Sequence, residues 1–67
     1  MRYKRYIGSI EYNHADNCWY GKIILHRGIY IKHLITYEAD SYDNIKNEFK
    51  RAVKDYIKFK RETNLWN

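Results

Sequence analysis

The sequence has no proline, one cysteine and only three glycines among its 67 residues. Because Cys18 has no second cysteine to pair with, no intrachain disulfide can form, and nothing suggests a secreted fold. The opening residues, MRYKRYIG, lack the apolar run of a signal peptide. No apolar run approaches the roughly 18 residues of a membrane-spanning helix. We therefore expect a cytoplasmic protein without a membrane partner.

Residue types that build catalytic or metal centres are also sparse. The three histidines and the cysteine show none of the spacings, such as CxxC or HExxH, that are typical of zinc sites. No glycine-rich phosphate loop occurs. The carboxylates Glu11 and Glu38 belong to different predicted strands, and a two-metal nuclease needs several such groups to converge on one point. The sequence predicts a protein that is not an enzyme and that holds no metal or cofactor.

Aromatic and basic residues, by contrast, are abundant. Hydrophobic residues make up 45% of the chain, eight residues are tyrosines, and the net charge is +5. This content excludes a disordered chain. The length allows one domain, residues 1–67, with one thin core. Because a domain this small buries only about 60% of the surface of its unfolded chain, we expect a homodimer or another protein partner.

The hydrophobic pattern divides the chain into three strands and a helix. Alternating or strand-forming residues predict strands over 3–12, 18–26 and 29–39, with a turn at Arg27-Gly28. Helical spacing of apolar residues begins near residue 42 and continues to about residue 62, after Asp40 and Ser41, either of which can cap a helix. The predicted fold is α+β: a three-stranded antiparallel meander with one C-terminal helix packed on one face, in the order β-β-β-α.

Two regions of this fold are predicted to meet other molecules. The apolar residues on the sheet face away from the helix need a cover, for which a second subunit or a partner is the simplest candidate. Trp66, in the tail after the helix, is expected to fold back on the domain or to contact a partner.

Lysines recur every four residues along the exterior of the predicted helix and form one ridge. The ridge consists of Lys46, Lys50, Lys54 and Lys58. One interpretation is an ordinary solvated face. The other is a surface that contacts the phosphates of nucleic acid or an acidic protein. Aromatic side chains of the sheet could likewise stack on bases, although packing in a core or interface is the alternative.

Several short segments resemble one known family. Residues 3–12 read YKRYIGSIEY and are similar to YKGYxGSVEY, the opening of many HicB-type antitoxins. Residues 35–41, ITYEADS, resemble the ITYEGxT/S segment of that family. In the helix, Phe49, the pair Ala52-Val53 and the pair Asp55-Tyr56 match the motif FxxAVDDY. The matches follow the family's order over nearly the whole chain.

The resemblance implies the N-terminal domain of a HicB-type antitoxin, with a partial RNase H-like fold that lacks the catalytic set. In that family the domain binds the HicA toxin, a small mRNA-cleaving ribonuclease, and covers its active site. On the exposed sheet face and its loops, the residues predicted to contact such a partner are Tyr30, Lys32, Glu38 and Asp40.

The sequence also departs from the family. A C-terminal DNA-binding domain usually follows, whereas this chain is expected to lack one because it stops at Asn67. Ala39 and Lys54 stand where the family often has Gly and Asp. A positively charged domain is also an awkward partner for a basic ribonuclease, since like charges oppose encounter. The alternative is a stand-alone basic relative, from a phage or another mobile element, that binds nucleic acid or inhibits another nucleic-acid enzyme.

Overall fold

A computed structural model describes the backbone of residues 1–64 and the side chains of residues 1–61, so Trp66 lies outside the described residues. The described chain is α+β, with an antiparallel sheet and one C-terminal helix, as predicted. In chain order the elements are β1 (Arg2–Tyr3), β2 (Tyr6–Gly8), β3 (Glu11–Asn13), β4 (Cys18–His26), β5 (Ile29–Tyr30), β6 (Thr36–Ala39) and α1 (Tyr42–Asn64).

Strand β4 is the centre of the sheet. Its first residues pair with both β3 and β6, and its last residues pair with both β2 and β5. One stretch of a strand can pair with two others only from opposite sides, so β3 lies opposite β6 and β2 lies opposite β5. Ser9, between β2 and β3, is also bonded to Lys22 of β4. β2 and β3 therefore share one side of β4, and β5 and β6 lie on the other. β1 pairs with β2 and extends the first side. The predicted strand at 18–26 and its central position are confirmed.

The prediction of a single strand over residues 3–12 is wrong. The chain reverses at Lys4 and Arg5, whose φ angles of 50° and 67° are left-handed, and β1 and β2 form a tight hairpin there. A left-handed residue with a side chain costs roughly 1–2 kcal/mol, so such turns normally use Asn-Gly. Without that signal, no residue pattern predicts a break in the strand. A second break at Ser9 and Ile10 separates β2 from β3.

The predicted strand over residues 29–39 is also wrong in its middle. Within this stretch only β5 and β6 are strands that pair with β4, and residues 32–34 leave the sheet. The amide of Ile31 donates to the carbonyl of Ile24 at 2.8 Å, and the amide of Ile23 donates to the carbonyl of Ile35 at 3.0 Å. These two bonds fix both ends of the segment, so residues 32–34 protrude from the edge.

The helix begins where the sequence places it and packs on one face of the sheet. The Ser41 hydroxyl accepts a hydrogen bond from the amide of Asn44 at 3.2 Å, which makes Ser41 the N-cap. Asp40 instead accepts a side-chain hydrogen bond from Asn44 at 3.2 Å. The buried core combines the apolar stripe of α1 with residues of the covered sheet face: Tyr6, Ile23, Tyr37, Ile45, Phe49 and Val53.

The buried Tyr37 ties the break between β2 and β3 to the rest of the core. Its hydroxyl donates to the carbonyl oxygen of Ser9 at 2.7 Å. Ser9 in turn is bonded to Lys22 twice, because the Ser9 amide donates to the Lys22 carbonyl and the Lys22 amide donates to the Ser9 hydroxyl. Burial raises the pKa of Tyr37 to about 12 from the usual 10.0.

The stability of the domain is expected to fall as the pH rises from 10 to about 12. In this range the unfolded chain ionises its tyrosine, whereas folded Tyr37 stays neutral until about pH 12. The contribution is therefore complete below pH 10 and is lost as the pH approaches 12. Urea unfolding followed by circular dichroism checks this. Tyr37→Phe should flatten the pH slope, whereas Tyr20→Phe, at an exposed position, should retain it; equal slopes in the two variants would contradict the assignment.

Candidate functional site

One edge of the sheet carries all four residues predicted to contact a partner. Tyr30 ends β5, Lys32 lies in the protruding segment, Glu38 lies in β6, and Asp40 follows β6 directly. All four are exposed. In the described part of the chain, β4 is the only strand that pairs with β5 or β6. We call residues 29–40 the open edge, because the outward backbone groups of its strands are available to another strand.

Large apolar side chains are exposed along the first half of the open edge. Ile29 is 72% exposed, Tyr30 is 77% exposed and Leu34 is 81% exposed. Sequence reasoning identified Tyr30 but missed Ile29 and Leu34, because it treated residues 29–39 as one half-buried strand. Single exposed apolar residues are ordinary, whereas several large ones close together along one edge are typical of an interaction site.

The protruding segment is anchored to the helix by an imidazole. His33 Nδ1 and the Tyr56 hydroxyl lie 3.2 Å apart, and their rings meet edge to face. The contact holds one side of the segment while the side chains of Lys32 and Leu34 stay exposed. The exposed Leu34 is therefore presented by a segment that is tied to both β4 and α1.

Acidic residues collect where β4 begins, and we call this region the acidic end. Glu11 and Glu38 both pair with Tyr20, from the two sides of β4. Asp16 lies in the turn before β4, and Asp40 follows β6. The pKa of the Cys18 thiol is raised, first by burial and then by the negative charges of Asp16 and Glu38. The acidic end thus includes the second half of the open edge.

Basic residues collect where β4 ends, and we call this region the basic end. The amide of Arg27, in the β4–β5 turn, donates to the carbonyl of Arg5, in the β1–β2 turn, at 3.2 Å. The tips of the two hairpins therefore lie side by side. The pKa of His26 is lowered, first by burial and then by the positive charges of Lys60, Arg27 and Arg5. The two ends of β4 carry opposite charge although the whole chain carries +5.

The four lysines of the predicted ridge do not all point the same way. Lys50 and Lys54 lie over the ring of Tyr3, at 5.7 Å and 6.0 Å from its centroid, and Lys4 approaches the same ring at 5.7 Å. Lys46 lies over the ring of Tyr42 at 5.2 Å.

The last lysine of the ridge points elsewhere. Each four-residue step overshoots a full turn by about 40°, so Lys58 is displaced by about 80° from Lys50 around the helix. Lys46, Lys50 and Lys54 lie along one side of α1, and Lys50 and Lys54 lie beside β1. Lys58 instead lies on the outward side of the helix.

Three arginines line one concavity beside the two hairpin tips. Arg2 comes from β1, Arg5 from the β1–β2 turn and Arg27 from the β4–β5 turn. Ile7 and Gly28 complete its lining, and no carboxylate of the described residues takes part. Sequence reasoning did not bring these arginines together, because the turn at residues 4–5 was not foreseen. We call this feature the arginine cavity.

The rings of all three histidines contact tyrosine rings in the described structure. The ring of His26 stacks on Tyr6, with centroids 4.0 Å apart and planes 7° from parallel. Within the residues whose side chains are described, no group of three or more His, Cys, Asp or Glu side chains is placed to hold a metal ion.

Comparisons with protein-family models, curated proteins and solved structures found no match to this chain. Its class is therefore defined by what the fold itself displays. It is a small α+β domain with an antiparallel sheet, an open apolar edge and opposite charge at the two ends of its central strand. Over residues 1–64, no helix is both long enough and apolar enough to cross a membrane.

Proposed function

We propose that the chain is an antitoxin-like, protein-binding module of the HicB type. It neutralises a small mRNA-cleaving ribonuclease of the HicA type by covering the active site of that enzyme. It acts in the cytoplasm by binding and has no catalytic step of its own. The observation that carries the proposal is the exposure of Ile29, Tyr30 and Leu34, at 72–81%, along an edge that is open to another strand.

The apolar half of the open edge supplies most of the binding free energy in this proposal. Fully burying a side chain of this size is worth roughly 1.5–3 kcal/mol. Interfaces concentrate their energy in a few such anchors, among which tyrosine is enriched. The outward backbone groups of β6 can add hydrogen bonds to a strand of the partner, and those bonds fix its register. The protruding segment then lies where it can enter the partner's cleft.

The acidic half of the open edge supplies the electrostatic fit. A chain with a net charge of +5 should repel a basic ribonuclease on average. However, Glu38 and Asp40 lie on the open edge, and Glu11 and Asp16 lie near them at the same end. A basic partner approaching the open edge from this end meets negative charge at close range. The repulsion expected from the net charge is therefore reduced for a partner that approaches over Glu38 and Asp40.

The decisive measurement is inhibition of a HicA-type ribonuclease, which is to be sought in the reading frame beside the gene for this chain. Cleavage of a fluorescent RNA by that purified enzyme should stop when the chain is added in equimolar amount. The double substitution Tyr30→Ser and Leu34→Ser should weaken inhibition by about 100-fold, which corresponds to roughly 2.7 kcal/mol. Serine is used so that the charge of the edge does not change.

The matched control is Tyr12→Ser, which removes a partly exposed tyrosine from β3, across β4 from the open edge. Tyr12→Ser should retain inhibition within about twofold, provided that thermal melting shows it folded. Unaltered cleavage in the presence of the unsubstituted chain would contradict the proposed function. Equal inhibition by the double variant would contradict the assignment of the edge.

The open edge also supports a homodimer in the absence of the ribonuclease. Two copies can pair their β6 strands and bury the same apolar residues, since an unpaired edge is a template for an identical edge. Sedimentation should then give twice the monomer mass of 8.3 kDa. The ribonuclease would compete with this dimer, because both occupants use Tyr30 and Leu34.

A further inference from the structure

The arginine cavity has a composition suited to a phosphate group. Three guanidinium groups from three separate segments line it, with one apolar side chain, Ile7, and the open Gly28. Guanidinium groups bind phosphate oxygens through paired N–H donors, and arginine is enriched wherever such recognition occurs. An acidic protein surface would also attract this charge, but a concave site for one anion fits a compact phosphate better than carboxylates on long side chains.

The backbone at the hairpin tips indicates that these basic side chains are retained at a conformational cost. Lys4, Arg5 and Arg27 all have left-handed φ angles, of 50°, 67° and 53°. Glycine or asparagine would satisfy these turns more readily. Gly28 already does so, with a φ of 80°. Residues with strained backbone conformations of this kind cluster at ligand-binding and catalytic sites.

Positive charge continues from the arginine cavity around the end of the sheet. An adjoining concavity is lined by Lys4, Arg27, Lys60 and Arg61, together with His26. Beyond Lys4, the ring of Tyr3 is flanked by Lys50 and Lys54. The basic surface therefore passes from the sheet face onto the flank of α1. This basic surface is larger than a single phosphate group, so it is better suited to a molecule that carries several phosphates.

We propose that the basic end binds single-stranded nucleic acid through its phosphates, with the arginine cavity holding one phosphodiester. A strand that follows the basic residues must turn around the end of the sheet, from Arg27 to Lys54. A single strand is flexible enough to do so, whereas a duplex has a persistence length of about 50 nm and stays straight over this distance. The arginine cavity adjoins the open edge at Ile29 but shares no residue with it, and this proposal does not depend on the proposed inhibition of a ribonuclease.

The test is fluorescence anisotropy of a labelled oligouridine of about 15 nucleotides, an oligothymidine of equal length and a duplex of equal length. For single strands the logarithm of affinity changes with the logarithm of salt by about −0.7 per phosphate contact. The double substitution Arg5→Gln and Arg27→Gln should lower affinity at least tenfold at low salt. It should also reduce the magnitude of the salt slope by about 1.4.

The matched control is Arg51→Gln with Lys58→Gln, which removes the same charge from the outward side of α1. It should change affinity by less than about threefold. A second variant, Arg5→Lys with Arg27→Lys, keeps the charge but removes the paired guanidinium donors, so it should keep the salt slope while losing part of the affinity. Thermal melting of every variant separates loss of binding from loss of folding. Equal losses in the two glutamine pairs, tighter binding of the duplex, or no binding at low salt would each overturn the proposal. Ribonuclease inhibition should be unchanged in Arg5→Gln with Arg27→Gln.

Discussion

Alanine in place of Gly21 is expected to lower the free energy of unfolding by about 3 kcal/mol or more, which is a large part of the stability of so small a domain. A Cβ atom at Gly21 would lie 2.9 Å from the carbonyl carbon of Ser9 and 2.9 Å from the ring of Tyr37, with the carbonyl oxygen of Ser9 closer still. Ser9 cannot easily move aside. It is held by two hydrogen bonds to Lys22 and by the hydroxyl of Tyr37.

Urea unfolding of Gly21→Ala, followed by circular dichroism, checks this expectation. Gly28→Ala is the matched control, because a Cβ there meets nothing within 4 Å. Its cost should be limited to the left-handed φ of 80°, or about 1 kcal/mol. If Gly21→Ala were no more destabilising than Gly28→Ala, the close approach of Ser9 to β4 would be refuted.

The strength of local patterning explains which elements could be predicted. β4 carries apolar residues on both of its faces, and the helix repeats its apolar positions over several turns, so both were found with accurate starts. The hairpin at Lys4 and Arg5 could not be found, since neither residue favours a left-handed turn. The gap between β5 and β6 was hidden for a different reason. Residues 29–37 are nearly all strand-forming, and only tertiary hydrogen bonds decide which of them pair.

The candidate site was predictable to the extent that it follows from strand order. Tyr30, Lys32, Glu38 and Asp40 lie on one edge because one chain segment forms that edge. The arginine cavity, in contrast, joins side chains from three segments across a turn that the sequence does not reveal. The separation of charge was also invisible in a list of charged residues. It arises because antiparallel pairing brings Glu11 and Glu38 to one end of β4 and the hairpin tips to the other.

In the two proposals, opposite charge at the two ends of β4 attracts two kinds of partner to one small domain. In the proposals made above, a basic ribonuclease approaches Glu38 and Asp40, and nucleic acid approaches Arg5 and Arg27. Electrostatic attraction acts mainly over about 10 Å at ordinary ionic strength. β4 has nine residues, so at about 3.3 Å per residue its two ends lie roughly 27 Å apart. Each end can therefore attract its own partner with little interference from the other.

Alanine in place of Gly8 is expected to lower the free energy of unfolding by about 2–3 kcal/mol. A second substitution at Phe49 should restore part of that stability. A Cβ atom there would meet the hydroxyl of Tyr37 and would lie 2.6 Å from Cε1 of Phe49. Both obstacles are side chains, whereas Gly21 faces backbone. Phe49 is 1% exposed and lies beneath Gly8, so the volume of its ring decides whether a methyl group fits.

The double variant Gly8→Ala with Phe49→Leu tests this packing directly. Phe49→Leu alone should destabilise the domain by about 1–2 kcal/mol, because a smaller side chain leaves a cavity. In the Gly8→Ala background the same change should cost much less, since it vacates the space that the new methyl group needs. The coupling free energy from urea unfolding of all four proteins should then be about 1 kcal/mol or more in favour of the double variant. Additive losses, within about 0.5 kcal/mol, would show that the ring of Phe49 is not what excludes a side chain at Gly8.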